Sequence, residues 1–178
     1  MAAMGGIESA DPKVIKLNNL KTQPDEALAA MKLVDEVGGR VLGHNGLPHL
    51  LPGINFVAGL PGETKETYML NREFLSKVLE SNVLVRRVNL RQVLVLEPTP
   101  LWGGKRGSIR SMLEKHKRYF LSLKNWVRTR FDLEMIRRVV PRGIILREAY
   151  VEAQAPGGVY ARQVGSYPPL LIFIPPKA

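Results

Sequence analysis

Three glutamates follow apolar, strand-like runs of this chain: Glu8, Glu63 and Glu97. A carboxylate accepts hydrogen bonds from hydroxyl and ammonium groups, so such side chains suit a polar ligand. Because the carboxyl ends of parallel strands meet at one edge of a sheet, we expect the three side chains to converge there. The alternative is that they cap helices and face solvent. We favour the ligand site for Glu8 and capping for Glu97, and we leave Glu63 open.

A glycine-rich turn, Gly59-Leu-Pro-Gly62, separates a short apolar run at 53–58 from a helix start at Thr64. A strand that enters a helix through such a turn points backbone amides and a helix N-terminus into one crevice. The segment is not a nucleotide P-loop, because that motif requires a lysine that is absent here. A turn of this type is more often structural than functional when it is taken alone.

The order of elements predicts an α/β fold. Strand-like runs at 2–9, 53–58 and 83–96 alternate with helical patterns, which predicts parallel strands joined by helical crossovers. One helix is predicted to start with Thr22 as its N-cap and the next with Thr64. A long helix is predicted over 108–131, and three strands at 144–153, 159–164 and 170–174 predict a small antiparallel β module.

Composition restricts the class of protein. The chain of 178 residues has no cysteine, which excludes disulfides, a catalytic thiol and cysteine-ligated metal centres built by this chain alone. It shows neither a membrane-spanning apolar run nor a secretion signal, so we expect a cytoplasmic protein with no membrane partner. His44 and His49 flank a Gly-Pro loop without a third ligand, and His116 falls on an apolar helix stripe, so no metal site is predicted.

Positive charge is concentrated in the middle of the chain. Residues 84–147 hold sixteen Lys and Arg against four Asp and Glu, whereas the whole chain carries +10. The long helix presents a basic stripe that is suited to a phosphate backbone, formed by Arg110, Lys117, Lys124 and Arg128. A solvated helix face is the favoured alternative, and burial is favoured for Tyr119 and Trp126 over base stacking.

Three motifs in register carry a family resemblance: Gly-Ile-Glu-Ser at 6–9, Phe-Val-Ala-Gly-Leu-Pro-Gly-Glu-Thr at 56–64, and the segment 88–102 with its Thr-Pro. Over about residues 5–102 the chain resembles the second half of the radical S-adenosylmethionine (radical SAM) core. The resemblance implies a partial (βα) half-barrel at 1–107 and a basic helical linker at 108–140. The module at 141–178 is similar to the RNA-binding TRAM (OB-like) extension of an archaeal-type subgroup.

The same resemblance implies the cofactor contacts. Glu8 and Ser9 would contact the ribose or amino-acid part of S-adenosylmethionine, and Val57 would lie against the adenine. The other cofactor-binding positions that it implies are Gly59, Gly62, Glu63, Asn89 and Arg91. The 4Fe-4S cluster of the family is held by a cysteine motif after its first strand, so its ligands are expected outside this chain. We therefore assign no catalytic residue and expect this chain to be inactive by itself.

The sequence departs from the family pattern at two places. Asn55 stands where the family usually has glycine, and Glu-Pro-Thr-Pro at 97–100 replaces the usual Pro-Gly-Thr-Pro. Two other interpretations remain: an RNA- or ribosome-binding module without catalytic activity, and a chain whose role is to associate with a partner. A Cys-x-x-x-Cys-x-x-Cys motif immediately upstream and in frame would decide for the radical SAM interpretation, with a missing N-terminal half or another chain as partner.

Overall fold

A computed structural model describes residues 2–94, 106–163 and 171–176. Its elements are β1 (Ala2–Glu8), α1 (Pro12–Leu17), α2 (Pro24–Val34), β2 (Leu51–Ala58), α3 (Lys65–Glu80), β3 (Val88–Gln92), α4 (Arg106–Trp126), α5 (Asp132–Val139), β4 (Ala149–Ala155), β5 (Gly158–Gln163) and β6 (Leu171–Ile174). Wider, π-type turns at Asp35–Gly39 and Val127–Phe131 extend α2 and α4.

The first half of the chain forms the predicted parallel sheet. Its order is β1-β2-β3, with β2 in the centre and helices on both connections. Gly6 lies opposite Asn55, and Phe56 lies opposite Leu90. The α/β prediction and the parallel pairing are confirmed. Within the described residues this sheet is open and separate from the second sheet, so no barrel closes.

Local sequence signals set the start of α3 as predicted, whereas the start of α2 was predicted wrongly. Thr64 is the N-cap of α3 and forms a reciprocal capping box with Thr67. The N-cap of α2 is Gln23, which forms a capping box with Glu26, and not Thr22. Glutamine with a glutamate three residues later supplies both capping bonds, so the cap moves one residue nearer to Pro24.

The helices at 106–139 belong to the main core rather than standing apart as a linker. Leu123, Val127, Phe131 and Met135 pack in one cluster with residues of the sheet and of α3. Phe56 and Phe74 meet edge to face in this cluster, with ring centroids 6.2 Å apart. The predicted apolar stripe of α4 therefore covers one face of the parallel sheet.

The second half forms an antiparallel sheet of order β4-β5-β6. Its predicted hairpin turn at 156–158 is confirmed, but the first strand begins at Ala149 and not at 144. Ile144 and Leu146 instead pack against a second, small cluster that includes Val139. The buried Gln163 ties the sheet to the loop before β2, since its Nε2 donates to the carbonyl oxygens of Asn45 at 2.6 Å and Arg147 at 2.7 Å.

No helix in the described parts of the chain is long and apolar enough to cross a membrane.

Candidate functional site

The carboxyl ends of β1 and β2 form one lip of the parallel sheet. These strands are neighbours, and Glu8 at the end of β1 lies opposite Phe56 near the end of β2. Both strands turn away through left-handed backbone, with φ of 55° at Glu8 and 96° at Gly59. Left-handed backbone at a non-glycine residue is uncommon and is typical of functional sites. The lip thus brings together the two corners that the sequence predicted.

Glu8 has a carboxylate without a protein partner among the described residues. The side chain folds back over Gly6, where an added Cβ would lie only 2.2 Å from Oε1 of Glu8. Partial burial raises the pKa of this carboxyl group. Gly6 therefore makes the room in which the carboxylate sits, and a hydroxyl donor from a ligand would supply the hydrogen bond that the described part of the chain does not.

A buried polar network holds the turn after Glu8. The Ala10 N–H donates to Oδ1 of Asn71 at 2.7 Å, and the Thr67 hydroxyl donates to Oδ2 of Asp11 at 2.6 Å. Ser9 is buried, and its Oγ accepts the N–H of Asp11 at 3.1 Å. The predicted contact of Ser9 with a ligand is not tested by this geometry; in the structure its side chain supports the turn.

Sequence analysis missed Asp11, Thr67 and Asn71 as supports of the site. The N-cap position of Asp11, directly before Pro12, was the only local signal, since its carboxylate also accepts the N–H of Lys13. Nothing in the spacing of Thr67 and Asn71 indicated that they reach residues some sixty positions earlier.

Glu63 turns its carboxylate into the protein. Its Oε2 accepts the Gly59 N–H at 2.9 Å and the Tyr68 hydroxyl at 3.0 Å, and the residue is buried. Burial is the main cause that raises the pKa of Glu63, while the N–H groups of Gly59 and Leu60 oppose it. Burial and the adjacent Glu63 together raise the pKa of Tyr68. Glu63 thus closes its own turn from the interior, which differs from the predicted alternative of a helix cap that faces solvent. Its predicted ligand contact stays a prediction.

The two glycines of the turn are closely packed. A Cβ on Gly59 would meet Leu113 and Val93 at 2.8 Å, and one on Gly62 would meet Leu17 at 2.8 Å. Both have positive φ, so glycine is required for the backbone as well as for the space. Their predicted contact with a cofactor would have to use backbone atoms.

Asn89 and Val57 lie on the face of the sheet opposite the buried Phe56, because side chains alternate along a strand. The Nδ2 of Asn89 donates to Oδ1 of Asn55 at 2.7 Å across the strand pair. This hydrogen bond gives a structural reason for Asn55, which stands where the family pattern has glycine: its side chain pairs with that of Asn89 on the neighbouring strand. Val57 is half-buried opposite the exposed Arg91.

Arg91 lies beside the basic stripe of α4. Arg91, Lys124 and Arg128 line one groove of about 280 Å³ along β3, together with Asp132. All four residues of the stripe are exposed, including Arg110 and Lys117. Tyr119 and Trp126 are partly buried against the core, as favoured from the sequence, and the Trp126 ring stacks against Arg72 at 5.1 Å.

Several predicted features lie outside the described residues: Glu97, the Thr-Pro at 99–100 and residues 164–170 of the TRAM-like module. In the described ranges no group of three or more His, Cys, Asp or Glu is placed to hold a metal ion. His44 and His49 lie in the exposed loop before β2, and His116 is buried as predicted.

Comparison with known proteins gives long archaeal relatives. An uncharacterized protein of Archaeoglobus fulgidus is 44% identical over 171 residues, covering 96% of this chain and 31% of that protein. An uncharacterized protein of Methanocaldococcus jannaschii is 44% identical over 169 residues, covering 93% of this chain and 30% of that protein. The chain thus spans about a third of the length of the curated relatives it matches. No family model matches the chain.

Among solved structures, one similar protein is coproporphyrinogen III oxidase of Escherichia coli, which is described as a radical SAM enzyme. The matched region covers 66% of this chain and 26% of that protein. The TM-score is 0.41 and the sequence identity 14%. A superposition of this quality does not assign a family.

Proposed function

We propose that the lip formed by β1 and β2 binds the nucleoside part of S-adenosylmethionine, and that this chain is the cofactor-binding part of a longer radical SAM-like enzyme. The observation that carries the proposal is the Glu8 carboxylate. It is partly buried, raised in pKa, seated over Gly6 and without a donor among the described residues. A ribose offers two vicinal hydroxyl donors, which one carboxylate can accept together.

The residues of this chain fit S-adenosylmethionine at that one carboxylate, but they do not fit the iron–sulfur cluster of the family. The chain has no cysteine to ligate iron. We therefore derive no step through the cluster. The role we propose for the chain is to orient the ribose through Glu8, with the turn held in place by Asp11 and Asn71.

The proposal is tested by titrating the chain with S-adenosylmethionine and following binding by calorimetry. We expect weak binding, because this chain has no cysteine to hold the iron–sulfur cluster and so would supply only part of the proposed site. Glu8→Gln is expected to weaken binding about tenfold, or about 1.4 kcal/mol. Glu80→Gln, an exposed glutamate at the far end of α3, serves as the matched control and is expected to bind like the wild type.

Equal affinity of the wild type and Glu8→Gln would reject the assignment of Glu8. The longer protein gives a second test. If the remaining two thirds of an archaeal relative contain no Cys-x-x-x-Cys-x-x-Cys motif, the radical SAM proposal fails whatever this chain binds.

A second candidate function is RNA binding, which is favoured by the groove that unites Arg91 with Lys124 and Arg128. Binding of single-stranded RNA is expected to weaken as the salt concentration rises. The double variant Lys124→Met, Arg128→Met is expected to reduce the slope of the logarithm of the binding constant against the logarithm of the salt concentration by about two. Arg130→Met, an exposed cation outside the groove lining, is the control. Absence of binding at low salt would remove this candidate.

A further inference from the structure

A second cavity, of about 530 Å³, lies between the start of α3 and the middle of α4. Three cationic side chains line it: Lys65 from α3, and Lys115 and Arg118 from α4. All three are exposed, and the Arg118 guanidinium also donates to the Tyr119 hydroxyl and stacks over the Tyr119 ring. The first residues of α3 also line the cavity, and the N-terminal end of a helix favours negative charge.

His116 forms part of the wall of the same cavity. The residue is only 7% exposed, and its Nδ1, which has no hydrogen-bond partner among the described residues, is enclosed by protein atoms. A buried polar atom without a partner is costly and uncommon in native proteins. Burial, with a contribution from Lys115, lowers the pKa of His116, so the ring is neutral at neutral pH and retains one N–H donor.

The acidic group of the cavity is already held by internal hydrogen bonds. Glu63 lines the cavity, but its Oε2 accepts the Gly59 N–H and the Tyr68 hydroxyl. Tyr119 adds an aromatic wall whose ring lies 6.1 Å from that of His116. The lining thus combines three cations, one histidine ring, an aromatic surface and one internally bonded carboxylate.

We propose that this cavity binds a small molecule that carries a phosphate group, with Lys65, Lys115 and Arg118 around the phosphate and the His116 ring beside it. Phosphate suits such a set because it accepts several charge-assisted hydrogen bonds at once. The volume matches that of ordinary small-molecule sites. The proposal does not depend on S-adenosylmethionine binding, since Glu8 takes no part in the cavity lining.

The test follows the three histidine ring signals by proton NMR while inorganic phosphate is added to the chain at constant ionic strength. The spectrum of His116→Gln assigns the His116 signal. An anion beside an imidazole favours its charged form, so we expect phosphate to raise the pKa of His116 by about half a unit or more. Chloride at the same ionic strength is expected to leave it unchanged.

Two lysines on α4 provide a matched pair. Lys115→Met is expected to weaken phosphate binding about tenfold. Lys117→Met, an equally exposed position that pairs with Glu114 and lies outside the cavity lining, is expected to have no effect. Both substitutions lie at exposed positions, so a loss of binding in the first variant alone reports on the cavity and not on folding.

Adenosine 5′-monophosphate and adenosine separate this site from the lip at Glu8. The monophosphate is expected to shift the His116 signal and adenosine is not. A histidine signal that responds to neither phosphate nor the monophosphate, or that responds only to single-stranded RNA, overturns the proposal. An equal effect of Lys115→Met and Lys117→Met overturns it as well.

Discussion

At the scale of single residues, two glutamates in similar sequence positions differ in their hydrogen bonds. Glu8 and Glu63 each follow a strand of the parallel sheet. Glu8 lies over a glycine and accepts no hydrogen bond from the residues that the structure describes, whereas Glu63 accepts the Gly59 N–H and the Tyr68 hydroxyl. The first is therefore available to a ligand, and the second stabilises the turn that places the start of α3.

Glu63 predicts a pH dependence of stability. Its pKa in the folded chain is raised above 4.5 by burial, so its contribution to stability is fully present below pH 4.5 and is lost as pH rises through the folded-state pKa. Glu63→Gln removes this titration. Urea unfolding measured between pH 4.5 and neutral is expected to show a smaller fall of unfolding free energy with pH in the variant.

Glu80→Gln, an exposed position on the same helix, is expected to retain the wild-type slope. An unchanged slope in Glu63→Gln would show that this carboxyl group is not the buried titrating group that the structure indicates.

Asn71 predicts a stability cost at the turn after β1. Its Oδ1 accepts the buried N–H of Ala10 at 2.7 Å, and Asn71→Leu would leave that N–H without a partner. The expected loss of unfolding free energy is about 1–3 kcal/mol in urea unfolding. Asn125→Leu, at an exposed position of α4, is the control and is expected to change stability little. Equal stability of the two variants would contradict the role of Asn71.

At the scale of elements, capping signals account for where the helices begin. In α3 the Thr64 side chain accepts the Glu66 N–H at 3.2 Å, and the Thr67 side chain accepts the Thr64 N–H at 3.0 Å. In α2 the corresponding bonds come from Gln23 and Glu26.

The two threonines therefore predict different outcomes. Thr64→Ala is expected to lower the unfolding free energy by about 1 kcal/mol, because an N-cap bond is lost. Thr22→Ala is expected to have little effect, because Thr22 precedes the cap residue Gln23. Thermal and urea unfolding of both variants measure the difference. A larger loss for Thr22→Ala would show that the helix starts one residue earlier.

At the scale of the whole molecule, polar bonds tie the antiparallel sheet to the loop before β2, and a small apolar cluster holds the segment at 140–146 that leads into β4. The cluster contains Leu47, Leu51, Leu84 and Val139. Gln163 supplies the most specific bonds, since its side chain reaches two backbone carbonyl groups from β5. The antiparallel sheet is therefore attached through the loop before β2 rather than through the parallel sheet itself.

Gln163→Leu is expected to loosen this attachment. The carbonyl groups of Asn45 and Arg147 each lose a partly buried hydrogen bond, at a cost of about 1–2 kcal/mol. Amide hydrogen exchange in β4 and β5 is expected to accelerate while β1 and β2 stay protected. Gln154→Leu, at an exposed position of β4, is the control. Uniform acceleration across both sheets would show that they unfold as one cooperative unit.

The sequence by itself determined the order of elements in the first half of the chain. Alternating apolar runs, glycine turns and the threonine cap at Thr64 are local signals, and a parallel sheet follows from them because each strand is joined to the next by a helix. The hairpin turn at 156–158 was likewise predicted from a local signal, the Pro-Gly-Gly segment. Where a local signal had a close competitor, as with Thr22 and Gln23, the boundary was wrong by one residue.

Only the tertiary structure decided which polar groups are free and which are occupied. The Asn55–Asn89 bond, the Asn71 support of the turn after Glu8, and the groove of Arg91 with Lys124 and Arg128 all join residues more than thirty positions apart. Such contacts depend on strand register and on which face of a helix meets the sheet. Whether a carboxylate is free to bind a ligand or is held in a structural hydrogen bond therefore depends on which donors the folded chain places beside it.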